Sequence, residues 1–210
     1  MAKQLQTFET PFDVYAELGL LGEGGAGRVY EVRNDKGQTF ALKCLSPDRI
    51  TAERRKRFKN EIGFCQSTLH RNIVRVLDTG ILSLKGVMCP FYVMPKCKGT
   101  LRSLIASTPA TQVIALFAQV LDGVEAAHKL DVWHRDLKPE NILWDGSSLV
   151  IADFGIAHFE EEAIYTAVET KVASRMANFM YSAPEQRARG ASVDRRADVF
   201  SLGLILNEMF

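Results

Sequence analysis

The chain has 210 residues, enough for one well-developed hydrophobic core or two small lobes. Hydrophobic residues make up 47% and charged residues 24%, as in an ordinary globular protein, and the net charge of +1 offers no overall field for nucleic acid or an acidic membrane surface. The four cysteines lack C-x-x-C pairing and metal-ligand spacing, and the sequence has neither an apolar signal core nor an uncharged stretch of membrane-spanning length. We therefore expect a soluble, cytoplasmic protein with reduced thiols, no membrane segment and no nucleic-acid partner.

The first predicted elements are two strands joined by a glycine-rich turn. Residues 1–14 are expected to form a loose lead-in, and Leu18 to Val32 predicts strand, turn and strand around Gly22-Glu23-Gly24-Gly25-Ala26-Gly27. A G-x-G-x-x-G pattern also occurs at dinucleotide sites, but there the glycines lead into a helix, whereas Arg28 to Val32 is strand-like. The missing side chains of Gly22, Gly24 and Gly27 would let backbone N–H groups approach phosphates.

A third strand, Gln38 to Leu45, is predicted after the turn at Asn34–Gly37. Its residues Ala41 and Lys43 are two positions apart and share a face.

The next stretch, Thr51 to Leu69, predicts a helix with one apolar face. The residues predicted for that face are Phe58, Ile62, Cys65 and Leu69. Glu61 lies on the inward side, where it can pair with Lys43, and a surface pair with Arg57 is the alternative. The basic run at 54–57 is interpreted as a solvated helix face.

Two more strands are predicted at Ile73 to Leu77 and Gly86 to Met94, followed by an amphipathic helix from Thr111 to Leu130. The apolar positions of that helix are Val113, Leu116, Phe117, Val120, Leu121, Val124 and Ala127. His128 is interpreted as a satisfied core histidine, since no second His or Cys stands at metal spacing.

The run His134-Arg135-Asp136-Leu137-Lys138-Pro139-Glu140-Asn141 carries the groups that metal-assisted phosphoryl transfer requires. Asp136 can accept a hydroxyl proton, Lys138 can balance charge on the moving phosphoryl group, and Asn141 can hold Mg²⁺. A predicted hairpin, Ile142 to Trp144 and Leu149 to Ala152, then delivers Asp153-Phe154-Gly155.

HRDLKPEN resembles the catalytic loop of eukaryotic-type protein kinases, and its Lys-Pro-Glu is similar to the Ser/Thr-specific version. The resemblance covers roughly residues 15 to 210 and includes the glycine flap, Lys43, Glu61, the DFG run, Ala183-Pro184-Glu185 and the motif at Asp198. It implies an α+β fold with a small antiparallel β lobe (15–95) and a helical large lobe that ends early (96–210).

The resemblance also implies Mg²⁺-dependent transfer of the ATP γ-phosphoryl group to Ser or Thr hydroxyls of protein substrates. The implied catalytic residues are Asp136, Lys138, Asn141, Lys43 and Glu61, and the implied metal ligands are Asn141 and Asp153. The residues implied for ATP binding are Leu21, Gly22, Glu23, Gly24, Gly25, Ala26, Gly27, Arg28, Val29, Ala41, Lys43, Met94, Pro95, Cys97 and Leu143. In the hinge, Pro95 can offer its carbonyl and Cys97 its N–H to adenine, whereas Lys98 stands where many relatives have an acidic residue for the ribose.

The stretch from His158 to Asn178 resembles a mobile activation segment, with Thr166, Thr170 and Ser174 as candidate phosphorylation sites. Arg135 is the expected partner for a phosphorylated hydroxyl there. The run 177–179, Ala-Asn-Phe, replaces the Gly-Thr-Pro usual in Ser/Thr kinases, which affects how substrate docks.

The final predicted helix, Asp198 to Phe210, is apolar nearly all round, as in a core helix. Asp198 is expected to anchor the backbone of the catalytic loop. Because the sequence stops at Phe210, we expect a truncated large lobe, with a partner or a missing C-terminal segment covering residues 198–210. Two alternatives stay open: a catalytically impaired, ATP-binding regulator or interaction module, and a small-molecule phosphotransferase, against which the Lys138-Pro139-Glu140 run counts.

Overall fold

The computed structural model describes residues 5–24, 27–154, 180–187 and 191–210. These residues form two compact units, the first drawn from Met1–Leu69 and Val74–Lys96, the second from His70–Ile73 and Cys97–Phe210. An antiparallel sheet in the first unit and mainly helices in the second confirm the predicted α+β class. Within the described ranges, no helix combines the length and the hydrophobicity needed to cross a membrane.

The first unit is built on a six-stranded sheet with strand order β1-β2-β3-β4-β6-β5, in which every neighbouring pair is antiparallel. The strands are β1 (Thr7–Glu9), β2 (Val14–Gly24), β3 (Gly27–Asn34), β4 (Thr39–Cys44), β5 (Asp78–Leu84) and β6 (Val87–Pro95). One face carries a core of alternating apolar residues, as expected for a sheet buried on that side. Its members are Phe8, Tyr15, Tyr30, Val32, Leu42, Cys44, Cys89, Phe91 and Val93.

The expectation of a loose lead-in is wrong for residues 7–9. They form β1, and Phe8 is fully buried against Tyr30 and Phe91, with ring centroids 5.4 Å from each. A single buried aromatic side chain anchors this short strand, and β2 supplies its backbone partners. A three-residue strand has too few positions for the alternating pattern by which strands are recognised.

The strand predicted at Ile73 to Leu77 is also wrong, because pairing with β6 begins only at Asp78. The preceding residues do not pair with this sheet apart from Leu77, whose N–H donates to Val93 O at 2.8 Å. Asp78 and Gly80 are residue types that are uncommon in strands, so the sequence does not indicate a strand here. Gly80 is nevertheless required at its position. A Cβ at Gly80 would lie 2.3 Å from the Phe91 ring and 2.9 Å from Glu9 O.

Helix α1 (Ala52–Ser67) begins at the N-cap Thr51, whose side chain accepts the N–H of Arg54 at 3.1 Å. Its buried residues are Phe58, Glu61, Phe64 and Cys65. Leu69 was predicted on this face but lies beyond the end of the helix and is 76% exposed. The chain turns extended at Thr68, which breaks the helical period before Leu69 is reached.

In the part of the second unit that the structure describes, a small sheet is combined with four helices. The sheet contains β7 (Gly99–Thr100), β8 (Ile142–Trp144) and β9 (Leu149–Ile151), and the helices are α2 (Leu101–Ile105), α3 (Ala110–His128), α4 (Pro184–Arg187) and α5 (Arg196–Met209). A 3-10 turn, Pro139–Asn141, leads into β8. Helix α3 packs against β9 and α5.

The predicted apolar face of α3 is buried at Val113, Phe117, Val120, Val124 and Ala127, as expected from the 3.6-residue period. The other two predicted positions are not buried: Leu116 is partly exposed and Leu121 is 43% exposed. Gly123 occupies the buried position instead, and a Cβ there would lie 2.7 Å from Asn72 O. The helix therefore approaches the backbone of segment 70–73 more closely than a larger residue would allow.

Candidate active site

In the first unit, the strand register places the candidate residues in a row on one face of the sheet. Gly22 pairs with Val29, Val29 with Lys43, and Lys43 with Tyr92. Ala41, two residues before Lys43 on β4, pairs with Met94. Because directly paired residues point to the same face, the row forms one continuous surface.

At the centre of this row, Lys43 and Glu61 form a buried ion pair, with Nζ and Oε1 2.8 Å apart and side chains 2% and 7% exposed. This is the internal pairing that the sequence favoured, and Arg57, the alternative partner, pairs with Glu53 instead. Tyr92, which the sequence analysis did not identify, donates its hydroxyl to the same Oε1 atom at 2.8 Å. The Lys43 ammonium also lies 5.6 Å from the Tyr92 ring centroid, within the range of a cation–π contact.

The glycines of the turn have two different reasons to lack side chains. Among the described residues, no atom lies within 4 Å of a Cβ built on Gly22 or Gly24, so the chain itself leaves that side of the strand open. Gly27 has φ +125°, and a Cβ there would lie 2.4 Å from Cys44 O. Gly27 is thus required by close packing on β4, whereas Gly22 and Gly24 leave room for a ligand. Gly25 and Ala26 lie outside the described residues.

The catalytic loop of the second unit is anchored by Asp198, as the sequence analysis predicted. Asp198 Oδ1 accepts the N–H of Arg135 at 2.7 Å, and Oδ2 accepts the N–H of His134 at 2.9 Å. His128 Nε2 donates to the same Oδ2 at 2.8 Å, so this histidine is satisfied as predicted. Burial alone would raise the pKa of Asp198, but the hydrogen bond from His128, the nearby His134 and the two backbone donors outweigh it and lower that pKa.

On the loop itself, Asp136, Lys138 and Asn141 converge. Lys138 Nζ lies 2.9 Å from Asp136 Oδ2, and Asn141 Nδ2 donates to Asp136 O at 2.8 Å and to Oδ2 at 3.2 Å. The Asp136 side chain is 44% exposed, while that of Lys138 is only 13% exposed. A carboxylate that faces solvent beside a largely shielded cation can receive a proton from an approaching hydroxyl group.

His134 connects this cluster to the residue before Asp153. Its Nε2 lies 2.9 Å from Ala152 O, an acceptor, so Nε2 must carry the proton. Its Nδ1 is therefore the acceptor for the N–H of Asp136 at 3.3 Å. The N–H of Ala152 in turn donates to Asn141 O at 2.9 Å. Backbone hydrogen bonds thus link the segments that carry the two candidate metal ligands, Asn141 and Asp153.

These two residues fit a magnesium ion. The Asn141 amide nitrogen is directed at Asp136, which fixes the orientation of the amide and assigns its oxygen to the other side. Mg²⁺ prefers oxygen ligands and is usually bound by one or two protein groups together with water and substrate phosphates. Among the described residues, no group of three or more His, Cys, Asp or Glu residues could hold a metal alone. Two protein oxygen donors fit a magnesium site in which substrate phosphates and water supply the remaining ligands.

A second polar network surrounds Arg102 on α2, and sequence reasoning missed it. Arg102 Nε donates to Glu140 Oε1 at 2.7 Å and Nη2 donates to the Tyr181 hydroxyl at 2.6 Å, while Glu208 on α5 contacts both Arg102 and Tyr181. Burial and the hydrogen bond to Glu208 raise the pKa of Tyr181 to about 12, so the phenol stays protonated. The network ties Glu140 of the catalytic loop to the residues just before α4.

The remaining candidates lie around the end of β6 and the β8–β9 hairpin. Pro95 ends β6 opposite Phe40, and Cys97 is half-buried, which together with Asp145 raises the pKa of its thiol. Lys98 donates its N–H to Trp144 O at 2.7 Å, and its ammonium would lie 2.5 Å from a Cβ at Gly146. The Lys98 side chain therefore lies over the hairpin turn.

The other candidates can be placed as follows. Leu21 is exposed on β2, Glu23 and Arg28 form an ion pair at 3.2 Å, and Leu143 pairs with Val150 in the small sheet. Gly155, the activation segment with Thr166, Thr170 and Ser174, and the run 177–179 lie outside the described residues. The catalytic, ATP-binding, metal and phosphorylation roles of all these residues stay predictions.

An antiparallel sheet with a buried Lys–Glu pair, together with an Asp–Lys–Asn loop anchored by a buried aspartate, defines the kinase-like class of phosphotransferase folds. The comparison with known families gives the same result. A model of the protein kinase domain matches residues 15–210, and the chain belongs to this family.

Several known relatives share most of this chain. It is 36% identical over 205 residues to serine/threonine-protein kinase PknD of Mycobacterium tuberculosis, covering 94% of this chain and 29% of that protein. It is 31% identical over 201 residues to a probable serine/threonine-protein kinase of Corynebacterium efficiens, with coverages of 92% and 30%. It is 31% identical over 209 residues to serine/threonine-protein kinase pakA of Dictyostelium discoideum, with coverages of 98% and 17%. The chain spans less than a third of the length of each.

Proposed function

We propose that the chain is a Ser/Thr protein kinase that transfers the γ-phosphoryl group of ATP to hydroxyl groups of protein substrates. In this reaction the substrate hydroxyl oxygen forms a bond to the γ-phosphorus while the bond to the ADP oxygen breaks, and the hydroxyl proton passes to Asp136. Membership of the protein kinase family and the names of the relatives support the reaction class.

One observation carries the proposal: Asp136, Lys138 and Asn141 converge within hydrogen-bonding distance on a loop that Asp198 anchors. Phosphoryl transfer depends mainly on positioning and charge stabilisation, since the transition state is loose and needs little covalent help. A half-exposed carboxylate beside a cation supplies both a proton acceptor and a counter-charge for the transferring group.

ATP and Mg²⁺ are the proposed cofactors. Asn141 and Asp153 would hold the metal through oxygen atoms, and Lys43, fixed by Glu61, would contact the phosphates. A bound Mg²⁺ neutralises charge on the phosphate oxygens. The open side of Gly22 and Gly24 is where backbone N–H groups would face phosphate.

Substitution of the proposed base tests the function. The full chain is incubated with labelled ATP, Mg²⁺ and a generic basic protein, and transfer to Ser and Thr is quantified for the wild type and for Asp136→Asn. We expect wild-type transfer and a loss of about 10²-fold or more in the variant, with ATP binding retained. Transfer that persists at the wild-type rate in Asp136→Asn contradicts the proposed role, and binding of ATP without any transfer by the wild type contradicts the proposed function.

Substitution of Lys43 gives a second test. Lys43→Met removes the phosphate contact and leaves Glu61 as a buried, uncompensated carboxylate, so we expect both loss of transfer and a destabilisation of about 3 kcal/mol. Lys36→Met, in the exposed turn before β4, is the matched control and should change neither transfer nor the urea midpoint. Full activity in Lys43→Met refutes the assignment of this lysine.

A further inference from the structure

Gln186 on α4 holds two backbone groups that are far apart in sequence. Its Nε2 donates to Arg135 O at 2.6 Å, and its Oε1 accepts the N–H of Ala183 at 2.9 Å. A carbonyl can only accept and an N–H can only donate, so these partners fix which end of the amide is which. The side chain is buried, with 8% of the residue exposed.

The contact with Ala183 has an ordinary explanation. Ala183 directly precedes α4 and Gln186 is its third residue, so the amide oxygen satisfies the N–H that a helix start leaves without a partner, as in one half of a capping box. Capping requires only the side-chain oxygen of Gln186, so it does not explain the contact between the amide nitrogen and Arg135 O. The amide nitrogen serves the catalytic loop.

Arg135 has a backbone conformation that needs such support. Its φ of +60° lies in the left-handed region, which is unfavourable for a residue with a side chain. Asp198 holds its N–H, and its carbonyl belongs to the peptide bond that leads into Asp136. At that peptide bond, Gln186 holds the oxygen and His134 Nδ1 accepts the N–H. The peptide plane that sets the direction of the Asp136 side chain is therefore fixed at both ends.

We propose that Gln186 is a positioning residue for phosphoryl transfer: its amide nitrogen holds the Arg135 carbonyl so that Asp136 faces the incoming hydroxyl group. The proposal rests on the proposed function. Through this hydrogen bond α4 contacts the catalytic loop directly. In the sequence, α4 follows the predicted activation segment. Gln186 thereby joins α4 directly to the peptide bond that precedes Asp136.

Gln186→Glu separates the two contacts. A carboxylate still accepts the N–H of Ala183, so the cap is kept, but it cannot donate to Arg135 O and faces that oxygen with negative charge. We expect kcat at neutral pH to fall about tenfold or more while the Kd for ATP changes by less than about twofold. Gln119→Glu is the matched control, because the Gln119 oxygen accepts the N–H of Leu149 at 2.8 Å and a carboxylate keeps that contact.

The pH profile gives a signature that a purely structural role lacks. Repulsion from the Arg135 carbonyl raises the pKa of the introduced carboxyl group, and its protonated form can donate to that carbonyl as the amide does. The ratio of kcat for Gln186→Glu to that of the wild type should therefore rise several-fold from about pH 8 to about pH 5.5. The same ratio for Gln119→Glu should stay level.

Hydrogen exchange supplies a readout that is independent of catalysis. In Gln186→Leu, amides of residues 133–137 should exchange faster than in the wild type, whereas amides of α3 and β9 should keep their rates. Wild-type kcat in Gln186→Glu, a ratio that does not change with pH, or unchanged exchange at residues 133–137 overturns the proposal. If the wild type transfers no phosphate, the proposed function fails, and the exchange result alone decides whether Gln186 holds the loop.

Discussion

Lys43 and Tyr92 donate to the same carboxylate oxygen of Glu61. A buried carboxylate is costly unless its charge and its hydrogen-bonding capacity are both satisfied. The tyrosine hydroxyl therefore stabilises Glu61 in the orientation that keeps it against Lys43.

Tyr92→Phe tests this contribution. The substitution removes one hydroxyl from a fully buried ring, and we expect the free energy of unfolding to fall by about 1–2 kcal/mol and kcat/KM for ATP to fall several-fold. The matched control is Tyr15→Phe, which removes a hydroxyl that donates to Asp78 at 3.0 Å in the same unit. The control should lose comparable stability in urea and keep its kcat/KM. Equal kinetic losses in both variants would mean that Tyr92 acts only through stability.

The sequence could predict the Lys43–Glu61 pair, because strand alternation and helical periodicity put the two residues on the inward faces of neighbouring elements. Tyr92 could not be found in this way. Its position opposite Lys43 depends on the register between β4 and β6, two strands separated in sequence by α1 and β5. The same holds for Gln186, since its contact with Arg135 joins residues 51 positions apart.

Asp198 gives a pH-dependent prediction. Its pKa is lowered in the folded protein, so its stabilising effect is complete above the pKa of the unfolded chain and is lost as the pH falls through the lower, folded value. We expect Asp198→Asn to lower the free energy of unfolding by about 2–3 kcal/mol at pH 7, and this difference from the wild type should shrink below about pH 4. Urea unfolding at several pH values measures it, with Asp122→Asn on the exposed face of α3 as the control. A difference that stays constant down to acid pH contradicts the anchoring role of the charge.

At the level of elements, β1 forms part of the first unit although it lies before residue 15, where the match to the protein kinase domain begins. Beyond Phe8, Thr10 donates its hydroxyl to Oδ2 of Asp78 at 2.6 Å, and Asp78 belongs to the first residue pair of β5 and β6. The backbone N–H of Gln6 donates to the buried Glu17 carboxylate at 3.1 Å. The segment around β1 thus contacts both its neighbour β2 and β5, the last strand in the sheet order.

Phe8→Ala measures what β1 contributes. Truncating a fully buried aromatic ring typically costs about 3–5 kcal/mol, and we expect a loss of that size in the urea unfolding of this chain. Phe12→Ala, four residues further on, removes a ring that is 88% exposed and should change stability by less than about 0.5 kcal/mol. Similar midpoints for the two variants would show that β1 does not stabilise the folded unit.

Long periodic elements were predictable from the sequence, and short ones were not. The 19 residues of α3 repeat their apolar positions often enough to define a face, whereas the three residues of β1 and the two of β7 do not. The strand β5 was misplaced because its start is decided by β6, with Gly80 selected by the Phe91 ring rather than by strand propensity. Predictions from local sequence are wrong where a contact with a residue distant in sequence determines which residue type fits.

At the scale of the whole molecule, the chain enters the second unit for four residues, His70–Ile73, before returning to the first. Asn72 fixes this passage. Its Nδ2 donates to Leu149 O at 2.7 Å and its carbonyl accepts the N–H of Ile151 at 2.9 Å, and the next residue, Ile73, forms a single parallel bridge with Ile151 of β9. Gly123 of α3 leaves room for its backbone.

Asn72→Ala should therefore weaken the second unit, although the residue lies between two sequence segments of the first. The substitution removes a fully buried amide and leaves Leu149 O without its donor, which typically costs about 1–3 kcal/mol. We expect amide exchange to accelerate in β9 and in the adjoining part of α3, while β3 and β4 keep their protection. Asn60→Ala, on the exposed side of α1, is the control and should alter neither region. If exchange becomes faster in β3 and β4 but not in β9, Asn72 stabilises the first unit, and the prediction is wrong. Because β9 leads directly to Asp153, loss of the Asn72 contact should also reduce phosphoryl transfer more than Asn60→Ala does.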